Sequence, residues 1–555
     1  MSDKAYSGTR AWHHLYAPGV DPYFVPPVTT WTEMMSAAFE AHGDRVFIEY
    51  YGESITYADM RIRAGRAAAA LRAAGVEPGD RVALNLPNCP WHPVFFFGAM
   101  AVGATVTHLS PLDAPGEIAH KIRDSGAKLV VGLSTPELLK SFLPLLEDGK
   151  FPPLVLCPDP ISAQGRACPI PEGATELEAF WADHADAPFE AVEARPEDVA
   201  LLQYTGGTTG VPKAAELTQA HLAAAVHIFH EGLKTEPMSG PGMPSLVYSP
   251  LFHIMGLVVG LLKRCHEGGT LHIRLRYDAE SALREIEEKQ IKGFGGVPTL
   301  WIALLQVPDI EKRDLSSLVY GGSGGAPLPV ETYNRVKQLT GLKLRGGWGM
   351  TETGAAGTFV PPDMPDEKLG TIGIPYPGID VMIADTEEPT QQLPTGETGE
   401  ILIKGPNVLN TYWNKPSETA EAFHEGWLKT GDIGYMDTDG FFYLVDRKKD
   451  MILSGGFNVY PLMIENAVHQ HPDVSQAIAI GVPDEYRGES AKVFVTLNRG
   501  AKPFSIDDLQ AFLADKLGRH EVPRYLEIRD SLPMTPVGKP DRKVLKAEEA
   551  AKRNA

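Results

Sequence analysis

The chain has 555 residues, 43% of them hydrophobic and 22% charged, with a net charge of −20. That length exceeds the roughly 250–300 residues at which one core stops growing, so at least two domains are expected. The acidic balance opposes nucleic-acid binding as a main role and offers no polybasic membrane anchor.

In chain order, Trp31, Met34, Met35, Ala38 and Phe39 share one face of a helix that Thr30 caps and Gly43 ends. A second helix is predicted over 57–74, then strands at Arg81–Leu86 and Lys128–Leu133. Between those strands, the apolar run Val94–Val106 reads as a buried helix followed by a strand, and a helix opens at Pro115. The run is shorter than the roughly 20 residues that span a bilayer, so no integral membrane segment is predicted. Helices alternating with strands imply an α/β protein with mainly parallel, buried sheets.

The character changes at Asp446-Arg447-Lys448-Lys449-Asp450, a charged run after the strand-like Phe441–Val445. Beyond it lie a helix near 461–471, strands near 476–482 and 492–497, a helix capped by Ser505 with Asp508, and a strand near 525–528. The expected division is a large domain over 1–446 and a small α+β domain over 447–555. Cys89, Cys157, Cys168 and Cys265 form no Cys-x-x-Cys pair, which suggests neither zinc nor redox chemistry and agrees with a reducing cytoplasm. The polar start lacks the apolar core of a secretion signal.

Residues 204–213 read Tyr-Thr-Gly-Gly-Thr-Thr-Gly-Val-Pro-Lys. Glycines let backbone approach a ligand, threonine hydroxyls donate to phosphate oxygens, and Lys213 offsets polyphosphate charge. Pro212 before the lysine and Ala214 after it break the Walker A pattern, so another fold must hold the phosphate. Alone, the segment is as readily a flexible surface loop. Five further segments stand out: His253 in Pro-Leu-Phe-His-Ile-Met-Gly, Glu352 ending Gly347-Trp348-Gly349-Met350-Thr351-Glu352, Asp432 ending Trp427-Leu-Lys-Thr-Gly-Asp, Arg447, and Lys539 in a Pro/Gly loop. Taken singly, each has a plain structural explanation: a packed histidine, a core tryptophan, a turn aspartate, an exposed lysine.

Together, in this order, they resemble the ATP-dependent adenylate-forming enzymes: acyl-CoA synthetases, luciferases and peptide-synthetase adenylation domains. The resemblance covers about residues 30–545. It implies that Thr205, Gly206, Gly207, Thr208, Thr209, Gly210 and Lys213 cradle the β- and γ-phosphates of ATP. It places Trp348 against adenine, with Gly325, Gly346, Gly347 and Gly349 around the base. Thr351 would meet the α-phosphate, Glu352 would hold Mg²⁺, Asp432 would take the ribose hydroxyls, and Arg447 would assist there. Lys539 would act on the carboxylate and α-phosphate, Lys449 would be the hinge of a rotating small domain, and Gly456 and Phe457 would border coenzyme A. The reaction implied is attack of a carboxylate on ATP to give an acyl adenylate and pyrophosphate, then transfer of the acyl group to coenzyme A with release of AMP.

Leu453 and Gly455 stand where related plant and beetle enzymes often carry lysines, and Gly346 replaces a frequent glutamine. An adenylating enzyme for amino acids would carry an aspartate near His253, and Phe252-His253-Ile254-Met255 has none. An apolar pocket of His253, Ile254, Met255 and Val297, with Val258 and Val259, predicts a medium- or long-chain fatty or aryl-alkanoic acid. The stretches Leu15–Val20 and Val25-Pro-Pro also look like bacterial long-chain acyl-CoA synthetases. An aryl or cinnamate-type ligase is the alternative within the family. Possible self-association as a homodimer and a cytoplasmic enzyme peripheral to membranes complete the expectation. Two readings from other classes stay open: a serine hydrolase, since Gly321-Gly-Ser323-Gly-Gly325 matches Gly-x-Ser-x-Gly, and a non-catalytic nucleotide-binding scaffold.

Overall fold

The computed structural model describes residues 10–147, 149, 151–160, 168–205, 212–325, 328, 330–386, 388–389, 391–454, 457–484, 486–535 and 539–554. Two largely parallel sheets form the body of the large domain. The first has seven strands in the order Ala174–Glu176, Leu154–Cys157, Ala127–Leu133, Arg81–Asn85, Thr105–His108, Val199–Thr205, Lys213–Thr218. Only its last pair is antiparallel. The second has six: Tyr320–Ser323, Gly293–Gly296, Pro244–Val247, Thr270–Ile273, Val46–Tyr50 and Glu53–Thr56.

Helices cover these sheets because the sequence makes their strands apolar on both faces. The helix Trp31–His42 is capped by Thr30 as expected, and Glu33 completes a capping box by exchanging side-chain and backbone hydrogen bonds with it. The apolar run divides into a helix, Trp91–Val102, and the strand Thr105–His108, with Gly103 at φ +80° making the stop. All but the first residue of that helix are buried, since it packs against Tyr57–Ala73.

An antiparallel sheet follows, built on Asp380–Ala384, Gly399–Lys404, Trp427–Met436, Phe423–His424 and Phe442–Arg447. Asp446 and Arg447 end its last strand, so the charged run begins inside the sheet. The last sheet joins Phe457–Val459, Ile452–Ser454, Gly488–Leu497 and Val474–Asp484, with Tyr525–Ile528 added in parallel. The helices Pro461–Val468 and Ile506–Leu513 close its core, where Ile464, Val468, Val493 and Leu509 meet. The helix predicted over 461–471 therefore ends three residues early, and the strand near 476–482 is longer than expected. The protein is α/β, with a large parallel-sheet domain and a smaller C-terminal domain.

Candidate active site

The parallel strands aim their C-terminal ends at one cavity of about 1200 Å³. Thr205 and Lys213 face each other across the antiparallel strand pair that carries the Gly/Thr segment. Residues 206–211, and with them the calls on Gly206, Gly207, Thr208, Thr209 and Gly210, lie outside the described residues. Lys213 Nζ sits 3.5 Å from the ring centroid of Tyr412. Burial lowers the basicity of Lys213, and the nearby Glu352 carboxylate opposes that shift.

Tyr412 closes a small circuit, because its hydroxyl donates to Glu352 Oε1 at 2.9 Å. Glu352 is 6% exposed and belongs to the short helix Thr351–Thr353, which the Leu409 amide ties down by donating to the Glu352 carbonyl at 2.8 Å. Tyr412 was missed in sequence because an aromatic far along the chain carries no local signature. A carboxylate, the Thr351 hydroxyl and incoming phosphate oxygens form a hard, oxygen-only donor set, and such a set fits Mg²⁺.

Trp348 and Asp432 meet directly. The indole Nε1–H donates to Asp432 Oδ2 at 2.7 Å. Register places Arg447 opposite Asp432, and its Nε lies 3.1 Å from Oδ1. That contact is an ion pair with poor hydrogen-bond angles, for among the described residues the buried Oδ1 accepts no hydrogen bond. An ionised acceptor, 2% exposed and held in place by an indole, suits a ligand hydroxyl. Glycines admit the close backbone here: a Cβ on Gly349 would lie 2.0 Å from the Ala355 carbonyl. Gly346 and Gly347 line the same cavity.

Lys539 reaches in from the small domain. Its backbone is pinned by mutual bonds with Thr535: the Lys539 amide donates to Thr535 Oγ1 at 3.0 Å, and the Thr535 amide donates to the Lys539 carbonyl at 2.7 Å. A Cβ on Gly325 would stand 3.1 Å from Lys539 Cε and 3.5 Å from Val297 Cγ1. Burial lowers the Lys539 basicity, with Arg447 adding to the effect and Asp432 opposing it. His253 lies close enough to feel this charge. Burial, then Lys539, then His108 push it down to about 4, so it is neutral at physiological pH. Its ring is fixed where Nδ1 accepts from the Met255 amide at 3.4 Å. Ile254 and Met255 line the adjoining wall.

Lys449 lines the cavity as well. Gly456 lies outside the described residues, and Phe457 is described only as backbone at the start of Phe457–Val459. Ser323 ends its strand, but its buried hydroxyl has no hydrogen-bond partner among the described residues, so no base is in place to activate it. Elsewhere, Glu49, His272 and Glu285 converge, but the Arg274 guanidinium already fills their centre.

A cavity that gathers a lysine from each domain, a buried carboxylate pair and an indole around one void defines an adenylate-forming enzyme. The chain belongs to the AMP-binding enzyme family, whose match covers residues 35–413, while the AMP-binding enzyme C-terminal domain matches 463–539. It is 34% identical to a long-chain-fatty-acid–CoA ligase of Bacillus subtilis (strain 168), over 97% of this chain and 98% of that one. It is 36% identical to a feruloyl-CoA synthase of an Amycolatopsis species, over 90% and 94%. The crystal structure of ATP-bound MatB from Rhodopseudomonas palustris superposes with a TM-score of 0.82 at 27% identity, covering 94% of this chain and 99% of that one. The protein is an AMP-forming acyl-CoA synthetase, for which ATP and coenzyme A are substrates and Mg²⁺ is the usual metal.

Proposed function

We propose that the chain activates a medium- or long-chain fatty acid, or an aryl-alkanoic acid, as its coenzyme A thioester. The observation that carries this is the cavity in which Lys213, Glu352 and Lys539 adjoin the uncharged wall of His253, Ile254 and Met255, with Asp432 held behind Trp348 and Arg447 at its edge. A carboxylate oxygen attacks the α-phosphorus, the bond to the bridging oxygen breaks, and pyrophosphate leaves with the electron pair. Coenzyme A sulfur then attacks the acyl carbonyl, losing its proton, and AMP leaves. The substrate is its own nucleophile, so no serine or cysteine is needed.

In this reading Lys539 holds the carboxylate against the α-phosphate, and Lys213 with the Gly/Thr segment holds the departing pyrophosphate. Trp348 packs on the base, Asp432 accepts from ribose hydroxyls, and Arg447 balances its charge. Glu352 and Thr351 would hold Mg²⁺, which supplies charge neutralisation to the phosphates when bound. Neutral His253 walls the carboxylate without adding a competing charge. The proposed division is 1–446 and 447–555 with Lys449 as pivot, so that the small domain turns between the half-reactions and brings Gly456 and Phe457 to coenzyme A.

The partners are the acid, ATP and coenzyme A. Among the described residues no helix is long and apolar enough to cross a membrane. Homodimerisation and cytoplasmic residence peripheral to membranes belong to the same proposal. The likeness to a feruloyl-CoA synthase supports a second reading, an aryl or cinnamate-type ligase. A panel of acids from acetate to palmitate plus cinnamates, read as AMP release with ATP, Mg²⁺ and coenzyme A, separates the two. Adenylation of amino acids alone, without thioester, would refute both.

A further inference from the structure

The turn that carries His253 leaves the strand Pro244–Val247 of the six-stranded sheet, yet side-chain amides of the seven-stranded sheet hold it. Asn88, just past the strand Arg81–Asn85, accepts from the Leu251 amide at 2.8 Å and donates to the Ser249 carbonyl at 3.1 Å. Gln203, on the strand Val199–Thr205, donates from Nε2 to the Phe252 carbonyl at 2.9 Å. It also lines the cavity. One side chain therefore joins the strand that opens the Gly/Thr segment to the residue before His253.

Behind Gln203 lie two buried imidazoles. His108 Nδ1 is 2.9 Å from Gln203 Oε1, and His108 Nε2 is 3.2 Å from His92 Nε2. Gln203, His108 and His92 are 6%, 2% and 0% exposed, so their polar atoms depend on one another for partners. Burial pushes His108 down to about 4 and His92 well below its ordinary value, which leaves both rings neutral at physiological pH. A neutral imidazole has one N–H, and a single carbonyl then fixes where every proton sits. The Phe252 oxygen can only accept, so Gln203 turns its NH₂ to it and its oxygen to His108. His108 must then carry its proton on Nδ1. Its bare Nε2 accepts from His92 Nε2–H, and His92 keeps a bare Nδ1, a buried atom without a partner among the described residues.

We propose that Gln203, oriented by His108 and His92, is a positioning residue for adenylation: it holds the His253 turn in register with the strand of the Gly/Thr segment, so that an acid carboxylate lying against that turn faces the α-phosphate. The inference rests on the reading of this cavity as the acid and ATP site of an acid–CoA ligase. Reacting atoms must be held about 3–3.5 Å apart for attack, and a misplacement of about 1 Å can cost roughly 100-fold.

The test is acid-dependent pyrophosphate exchange by the full chain, with whichever of octanoate, palmitate and cinnamate gives the highest kcat/KM. Gln203→Met keeps the length of the side chain and removes both bonds. Its kcat/KM for the acid is expected to fall by roughly tenfold to 100-fold, with the KM for ATP within about twofold of wild type, because Trp348 and Asp432 hold the base and ribose elsewhere. His108→Leu, which offers Gln203 no N–H, is expected to share that loss. His108→Asn, whose side-chain amide places an N–H where Nδ1 stands, is expected to be largely rescued. Thr105→Val is the structural control, since it loses a buried bond between the same two strands, Thr105 Oγ1 to the Val199 carbonyl at 2.7 Å, outside the relay. It is expected to lower Tm without changing kcat/KM for the acid. If Gln203→Met does not fold, the two His108 variants decide, together with ¹⁵N-histidine spectra of the wild type, in which the His108 proton is expected on Nδ1. A proton on Nε2, an equal loss in Thr105→Val, or unchanged acid kinetics in Gln203→Met and His108→Leu would each overturn the inference alone. No exchange with any of the three acids would bring down the proposed acid class and this inference together.

Discussion

Lys539 is the residue on which the assignment of half-reactions turns. Replacing it with alanine should lower acid-dependent pyrophosphate exchange by about 100-fold or more, as loss of one preorganised donor does. Thioester formation from preformed acyl adenylate should fall much less; equal loss in both would contradict the role. Tyr412 offers a finer probe, since it contributes a hydroxyl to Glu352 and a ring face to Lys213. Tyr412→Phe should raise the KM for ATP with Mg²⁺ by roughly tenfold to 100-fold, the value of one hydrogen bond to a charged group, while Tyr412→Leu should cost more by removing the ring as well. A phenylalanine variant indistinguishable from wild type would show the hydroxyl to be idle. The contrast between Lys539 and Tyr412 explains what was legible in sequence. Lys539, Glu352 and Asp432 stand in short patterns of glycine, proline and threonine, which local backbone geometry demands. Tyr412 sits in an ordinary loop context and acquires meaning only from Glu352 and Lys213, partners far along the chain.

At the scale of elements, the turn that carries His253 depends on a close backbone approach. Gly256 opens the wide helical segment Gly256–Leu262, and a Cβ there would lie 2.0 Å from the Pro250 carbonyl. Gly256→Ala should displace that turn and cost about 1–3 kcal/mol, seen as a lower Tm together with a raised KM for the acid. A change in Tm without any change in that KM would separate the turn from acid binding. From sequence only Val258 and Val259 of this segment were singled out, as apolar pocket residues, because residues apolar on all sides give no periodicity to distinguish helix types. By contrast Trp31–His42 and Ile506–Leu513 announced themselves through Thr30 and through Ser505 with Asp508, where capping chemistry is local. The early end of Pro461–Val468 was not legible, since the residues after Val468 are equally tolerant of a helix and the turn there is set by the strand that follows.

For the molecule as a whole, buried histidines set the response to acid. Burial pushes His108, His221, His253, His266 and His469 down to about 4 from the ordinary 6.5. Their unfolded forms therefore bind protons first as pH falls, and stability is lost between the two values, fully present above 6.5 and gone below 4. Each such group contributes up to about 1.4 kcal/mol per pH unit in that window. The urea midpoint should accordingly drop steeply between pH 7 and pH 5, and a midpoint constant or rising across that range would count against burial of these rings in the neutral form. The parallel-sheet body and the smaller last sheet were both foreseen from alternating helix and strand patterns. The antiparallel sheet between them was foreseen only in its last strand, Phe442–Arg447, read as Phe441–Val445; its longest strand, Trp427–Met436, was read only as the setting of Asp432.

The glycines that line the cavity on the strands Gly293–Gly296 and Tyr320–Ser323 have a consequence for how such enzymes diverge. Gly293, Gly295 and Gly322 stand apart from Lys213, Glu352, Asp432 and Lys539 in sequence and strand position. Each glycine is one nucleotide change from a codon for alanine, and a Cβ there would press on Met238 Cε at 2.6 Å, on the Gly322 carbonyl at 3.3 Å or on the Tyr320 ring at 3.2 Å. A single heritable step at these positions therefore shifts the packing of this wall while the nucleotide-handling half stays constant.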